Sequence, residues 1–258
     1  MFCLVVQLAR QAGLAIPGTP ELESEWEWNH MTESPACYRN ELPARVAIFD
    51  LDGTIIDAAA DIAAQINLLL QARRLQPLTV AEATTLLGDG LRVFASRAFQ
   101  LRGAEIGDDE SSSFIQGYLD APVVQTRLYP EVRKVLAELT GEGWRLVVCT
   151  NKIEAAAIHI LEELGVLSFF DIVCGADTVP CCKPSPVHLQ HALARAGLLQ
   201  QRAVMIGDNR VDVLAARALG IPSVFAGWGY GHRDTGKEAT IAAARFGDLP
   251  PVLALVAG

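Results

Sequence analysis

The sequence predicts an α/β protein, a doubly wound parallel sheet with a helical domain inserted near its start. Three features predict it. Five short apolar runs stand at 45–49 (RVAIF), 145–149 (RLVVC), 171–174 (DIVC), 203–206 (AVMI) and 222–226 (PSVFA), each of a length that suits a buried strand. Helix-period segments separate the later runs, and strand-helix-strand alternation brings successive strands parallel. Between the first and second runs, by contrast, residues 58–125 carry helical patterns and no strand pattern.

In chain order, residues 1–43 read as an irregular leader. Residues 1–16 are apolar, but no basic segment precedes the apolar stretch and Arg10 interrupts it, which argues against a secretory signal. Residues 17–43 are rich in Pro, Glu and Ser and keep neither helical nor alternating period. Met31 falls within this leader, and removal of residues 1–30 is expected to leave the fold intact. The catalytic core is expected at 44–57 and 126–258, and the helical insert at 58–125. Within the insert, helices are expected at 59–73, 80–88, 91–102 and 108–119. In the core, 154–165, 187–197 and 211–220 read as helices closed by Gly165, Gly197 and Gly220.

The chain has 258 residues, 51% of them hydrophobic, enough for a large buried core and incompatible with a disordered or fibrous protein. Thirty acidic against 21 basic residues give a net charge of -9. That argues against non-specific binding to nucleic acid or anionic membranes, and a small anionic substrate would need local positive charge. The six cysteines show neither zinc-ligand spacing nor the density of a disulfide scaffold, as fits reduced thiols in a cytoplasm. No run of apolar residues is long enough for a membrane span.

The chemistry starts at IFDLDGTIID, residues 48–57. Residues two apart on an extended backbone share a side, so Asp50 and Asp52 can face one reacting atom at the carboxyl end of the first strand. Open parallel sheets hold ligands at that edge. One carboxylate could attack phosphorus to give an acyl-phosphate while the other protonates the leaving oxygen and then activates water. Taken alone, the same residues form an ordinary strand-to-helix loop. At VVCTNK (147–152), Thr150 and Asn151 follow an apolar run, where a hydroxyl and backbone amides could hold a phosphoryl oxygen or cap a helix. CCKPSP (181–186) presents Lys183 before two prolines, and MIGDNRVD (205–212) brings Asp208 and Asp212. Four carboxylates converging on one edge would repel, which implies a hard divalent cation with oxygen ligands, Mg²⁺ keeping several waters.

In this order, DLDGTIID, VVCTNK, KPSP and GDNRVD resemble the four motifs of the haloacid dehalogenase superfamily, in its phosphatase branch. The resemblance implies a Rossmann-like core, Asp50 as nucleophile, Asp52 as acid/base, and Mg²⁺ held by Asp50, the main-chain carbonyl of Asp52 and Asp208. It places Thr150, Asn151 and Lys183 at the phosphate and Asp212 in support of the metal. Segments 55–70, 86–99, 175–186 and 228–231 (WGYG) are similar to phosphoglycolate phosphatases, whose helical cap is inserted at this point. Ala58, where that group usually has Ser, and Asn209, where Ser is commoner, depart from it.

The expected activity is therefore Mg²⁺-dependent hydrolysis of a small phosphorylated metabolite, 2-phosphoglycolate or a similar ester, by a cytoplasmic monomer or homodimer. Gly88, Asp89 and Gly90, with Arg92 beside them, are the expected substrate-selecting residues of the cap. A sugar-phosphate mutase shares Asp52 but needs a cationic cap side chain, for which Arg92 and Arg97 stand nearest. A dehalogenase does not need Asp52. A phosphorylated signalling receiver is disfavoured by the insert and the late aspartates, and a silent phosphate-binding module by the intact carboxylates. His188 and His191 are expected on a helix surface, Cys181 and Cys182 to pack or line the Lys183 loop, and Trp228 and Tyr230 to border the site or pack.

Overall fold

The computed structural model describes residues 45–121, 123–199 and 202–256; the leader expected at 1–43, with Met31, lies outside them. Strand β1 (Arg45–Phe49) runs through the Asp50–Thr54 turn into the two-residue strand β2 (Ile56–Asp57). Four helices follow, α1 (Ala59–Ala72), α2 (Val80–Leu86), α3 (Leu91–Leu101) and α4 (Asp108–Asp120). β3 (Arg127–Leu128) then pairs antiparallel with β2, so one short ribbon holds both ends of the insert.

From there helices and strands alternate: α5 (Val132–Gly141), β4 (Arg145–Cys149), α6 (Glu154–Glu163), β5 (Ile172–Cys174), α7 (Pro186–Arg195), β6 (Arg202–Gly207), α8 (Arg210–Leu219), β7 (Ser223–Ala226), α9 (Thr235–Glu238), β8 (Ile241–Ala243) and α10 (Leu249–Val256). The large sheet has the order β5-β4-β1-β6-β7-β8 with every pairing parallel.

Alternation along the strands fills both faces. Ala47, Phe49, Leu146, Val148, Val204 and Ile206 join the core on one side, while Val46, Ile48, Val147, Cys149 and Met205 join the core on the other. Such two-sided burial is why these strands read as unbroken apolar runs. The first of those cores also takes in the insert through Ile62, Ile66, Phe94, Phe99 and Phe114.

Six elements go beyond the sequence reading, α9 and α10 among them. β2 and β3 are too short to carry a period, and β8 (IAA) lacks the bulky β-branched signature. The amphipathic pattern of α5 was legible, since Val132, Val135, Leu136 and Leu139 are buried at helical spacing. His188 corrects the expected helix surface. Its side chain on α7 is fully buried, although α7 presents charged and polar residues elsewhere, because that face packs on β4 and β5. No helix among the described residues is long and apolar enough to cross a membrane.

Candidate active site

β1 and β6 lie side by side, and the chain leaves them toward opposite edges of the sheet, which opens a crevice beyond their carboxyl ends. Asp50 follows β1, with its amide donating to the Ile206 carbonyl at 2.8 Å, and Asp208 follows β6. Gly53, at φ 83°, makes the intervening turn; a Cβ there would come within 2.4 Å of Asp208 Oδ2.

Lys183 is the hub. Its buried ammonium donates to Asp50 Oδ1 at 2.7 Å, to Asp212 Oδ1 at 2.6 Å and to the Cys149 carbonyl at 2.7 Å, satisfying all three protons. These acceptors hold the lysine well above its ordinary pKa in spite of burial. Lys183 is thus no solvated surface charge.

Asp50, Asp208 and Asp212 each bring a carboxylate oxygen into one buried group whose members lie within 4.8 Å of one another. Burial, reinforced by Asp50 and Asp212, pushes the Asp208 carboxyl well above the usual range. Asp212 is raised to about 6, again by burial first, against the pull of Lys183. The backbone amides of Tyr230 and Gly231 donate to Asp208 Oδ2 at 2.7 and 3.0 Å, and that of Asn209 to Asp212 Oδ2 at 3.0 Å. Three oxygen donors with so little water fit a hard divalent cation.

Asp52 stands apart from this triad. Lys152, buried after β4, donates to both its oxygens at 3.1 and 3.0 Å, so the four-carboxylate cluster expected from sequence resolves into three plus one ion pair. Burial raises the Asp52 carboxyl even though Lys152 opposes the shift. The same ammonium lies 4.7 Å from the ring centre of Tyr118 on α4, so a residue of the insert touches the partner of Asp52.

Thr150 is buried at the end of β4, its hydroxyl accepting from the Lys152 amide at 3.1 Å. The Asn151 amide donates to the carbonyls of Gly88 and Lys183 at 3.2 and 3.0 Å, which joins the insert's loop to the lysine loop. Gly88 needs to be glycine: its φ is 121°, and a Cβ would fall 2.1 Å from Asn209 Nδ2. Gly90 begins α3 at φ 88°. Gly88, Gly90, Asp50, Asp52, Thr150 and Lys152 line a cleft of only about 30 Å³. Asp89 pairs with Arg97 at 2.6 Å, and exposed Arg92 lies with Asp89, Asp177 and Cys182 on an adjoining, wider cleft that shares Gly90, Leu91 and Asn151 with the first.

The haloacid dehalogenase-like hydrolase family matches residues 47–226. The chain belongs to that family. It is 38% identical over 189 residues to a phosphoglycolate phosphatase of Agrobacterium fabrum, covering 72% of this chain and 81% of the relative. It is 34% identical over 195 residues to one of Caulobacter vibrioides, covering 74% and 82%. A solved structure from Haemophilus somnus, described as a predicted phosphoglycolate phosphatase, superposes with a TM-score of 0.73 at 26% identity over 81% of this chain and 97% of that one. This haloacid dehalogenase-like hydrolase is thus a phosphoric monoester hydrolase resembling the phosphoglycolate phosphatases.

Two residues of the site, Lys152 and Tyr118, lie outside the sequence expectations. Lys152 sat inside the quoted VVCTNK without a role, and its position directly after a strand end was the available signal. Tyr118 gave none, being one aromatic on an amphipathic helix. Tyr230 was expected to border the site; its amide does so, while its hydroxyl reaches Asp57 at 2.8 Å in the ribbon below the insert.

Proposed function

We propose that the chain hydrolyses a small phosphate ester, 2-phosphoglycolate or a close analogue, through an aspartyl-phosphate on Asp50. The observation that carries this reading is the placement of Asp50. Lys183 fixes Oδ1 at 2.7 Å, while among the described residues no hydrogen bond engages Oδ2, which leaves one oxygen to attack phosphorus. The names of the relatives support the substrate.

Asp50, Asp208 and the Asp52 carbonyl would hold Mg²⁺, with Asp212 supporting them through Lys183 and the Asn209 amide. When bound, the ion neutralises charge on the phosphoryl group. The chain's own residues do the rest. The Thr150 hydroxyl and the Asn151 backbone amide present donors to the phosphoryl oxygens, and Lys183 holds Asp50 aimed. Asp52, whose carboxyl is raised by burial, gives its proton to the departing alkoxide as the ester bond breaks. It then takes a proton from the water that attacks the acyl-phosphate, which returns Asp50 as carboxylate and releases inorganic phosphate. Loops 88–90 stand where the leaving group would lie.

Comparison of kcat/KM over a panel of phosphate esters, with Mg²⁺ and with chelator, tests the reading. 2-Phosphoglycolate is expected to rank first, with activity lost in chelator and in Asp50→Asn. Wild-type turnover by purified Asp50→Asn would refute the nucleophile.

A further inference from the structure

Helix α1, the first of the insert, starts without a cap of its own. Its N-cap residue is Ala58, which has no side chain to accept a hydrogen bond, and the first amides of a helix need acceptors. The shorter contacts come from a residue about 170 positions away: the Ala58 and Ala59 amides donate to the Tyr230 hydroxyl at 2.8 and 3.2 Å, while the local Asp57 Oδ1 accepts from the Ala59 amide only at 3.4 Å. That hydroxyl donates in turn to Asp57 Oδ1 at 2.8 Å, on the strand that enters the insert.

The other end of Tyr230 is just as tightly engaged. Its amide and that of Gly231 both donate to Asp208 Oδ2. The flanking glycines permit an approach no side chain would allow, since a Cβ on Gly229 would fall 2.3 Å from Asp208 Cβ and one on Gly231 would fall 1.7 Å from the Asp208 carbonyl oxygen. Any shift of Asp208 is therefore passed to the loop, and through one rigid ring to the first turn of α1. Few side chains could span this path. Phenylalanine has the length without the acceptor, and serine has the acceptor without the length.

We propose that Tyr230 is a positioning residue through which a cation held by Asp208 sets how α1 leaves the hinge. This rests on the reading of Asp208 as a cation ligand. Cation binding draws Asp208 into a fixed place, the amides of Tyr230 and Gly231 follow, and the phenol holds the start of α1 in register with the site. The insert is then steadied before an ester arrives. A capping side chain placed at position 58 would stabilise α1 but would be indifferent to the cation, and that difference makes the role testable.

The experiment follows amide hydrogen exchange across residues 56–70 of the full chain, with and without Mg²⁺, while calorimetry measures Mg²⁺ binding. In the wild type, Mg²⁺ is expected to slow exchange in the first turn of α1 by threefold or more. In Tyr230→Phe the first turn should exchange roughly fivefold faster, as for one lost helix cap, and should no longer respond to Mg²⁺, although calorimetry still detects binding. The double variant Ala58→Ser, Tyr230→Phe should recover slow exchange, because the serine caps the helix locally, yet remain unresponsive to Mg²⁺. Bound Mg²⁺ without protection of the wild-type hinge, or a response retained in Tyr230→Phe, overturns the coupling and leaves the proposed function standing. No Mg²⁺ binding to the wild type overturns both.

Discussion

Asp50 and Asp52 are two residues apart, and each meets a different buried lysine. On the proposed function the division matters because a nucleophile and a proton donor need different surroundings, which one shared environment could not supply. Asp52→Asn is expected to lower kcat on an alkyl phosphate by ~10²–10⁴ and to act less on an aryl phosphate, whose leaving group needs little protonation. Lys152→Met should destabilise the chain by about 3 kcal/mol in urea unfolding, because it strands a largely buried carboxylate. Asp50, Lys183, Asp208 and Asp212 were legible because each falls in a short, ordered motif, Asp50 and Asp208 directly after β1 and β6. Lys152 was not, because its partner lies 100 residues away and a lysine beside a helix start reads by default as a solvated charge. The burial of His188 was hidden for a related reason: only the packing of α7 on the sheet decides which of its faces meets water.

At the scale of elements, the five strands read from sequence are the five whose apolar runs are long enough to carry a signal, and β8 at the sheet edge escaped because alanines carry so little. The helices of the insert were found almost to the residue, since Ile62, Ile66 and Leu70, then Phe94 and Ala98, repeat at helical spacing. The sequence could not show how the loop 88–90 is fastened. Asn151 and Asn209 both donate to carbonyls there, Gly88 and Leu87, from the ends of β4 and β6. A bulky residue at position 90 therefore has two effects: it strains a backbone at φ 88°, and it brings a side chain toward the Asn151 carbonyl, 3.2 Å from the position of a Cβ. Gly90→Leu is expected to raise KM or lower kcat about tenfold or more for the preferred ester, with a much smaller change for a small aryl phosphate. Equal losses on both, with unchanged folding and Mg²⁺ affinity, would show that the insert does not select the substrate.

For the molecule as a whole, pH acts on stability through His188. Burial and the neighbouring Lys183 ammonium hold the imidazole down at about 4, so the unfolded chain takes up its proton first as the medium acidifies. The stability that depends on a neutral His188 is complete above the ordinary histidine pKa of 6.5 and is lost as pH falls through about 4, a difference of about 3 kcal/mol. Across that range the urea midpoint of the wild type should fall relative to that of His188→Gln, the raised carboxyls of Asp52, Asp208 and Asp212 acting with the opposite sign in both chains. The charges of the site have a wider consequence. Four aspartates face two lysines, so with every carboxylate ionised the crevice carries two uncompensated negative charges, the complement of one divalent ion. In that state a phosphate ester approaching without the ion meets net repulsion. On the proposed function, this charge balance predicts an order of arrival, cation first and ester second. Calorimetry should find Mg²⁺ binding without phosphate and no binding of inorganic phosphate to chelator-treated protein. Appreciable phosphate affinity in chelator would mean that the lysines, rather than the cation, receive the substrate.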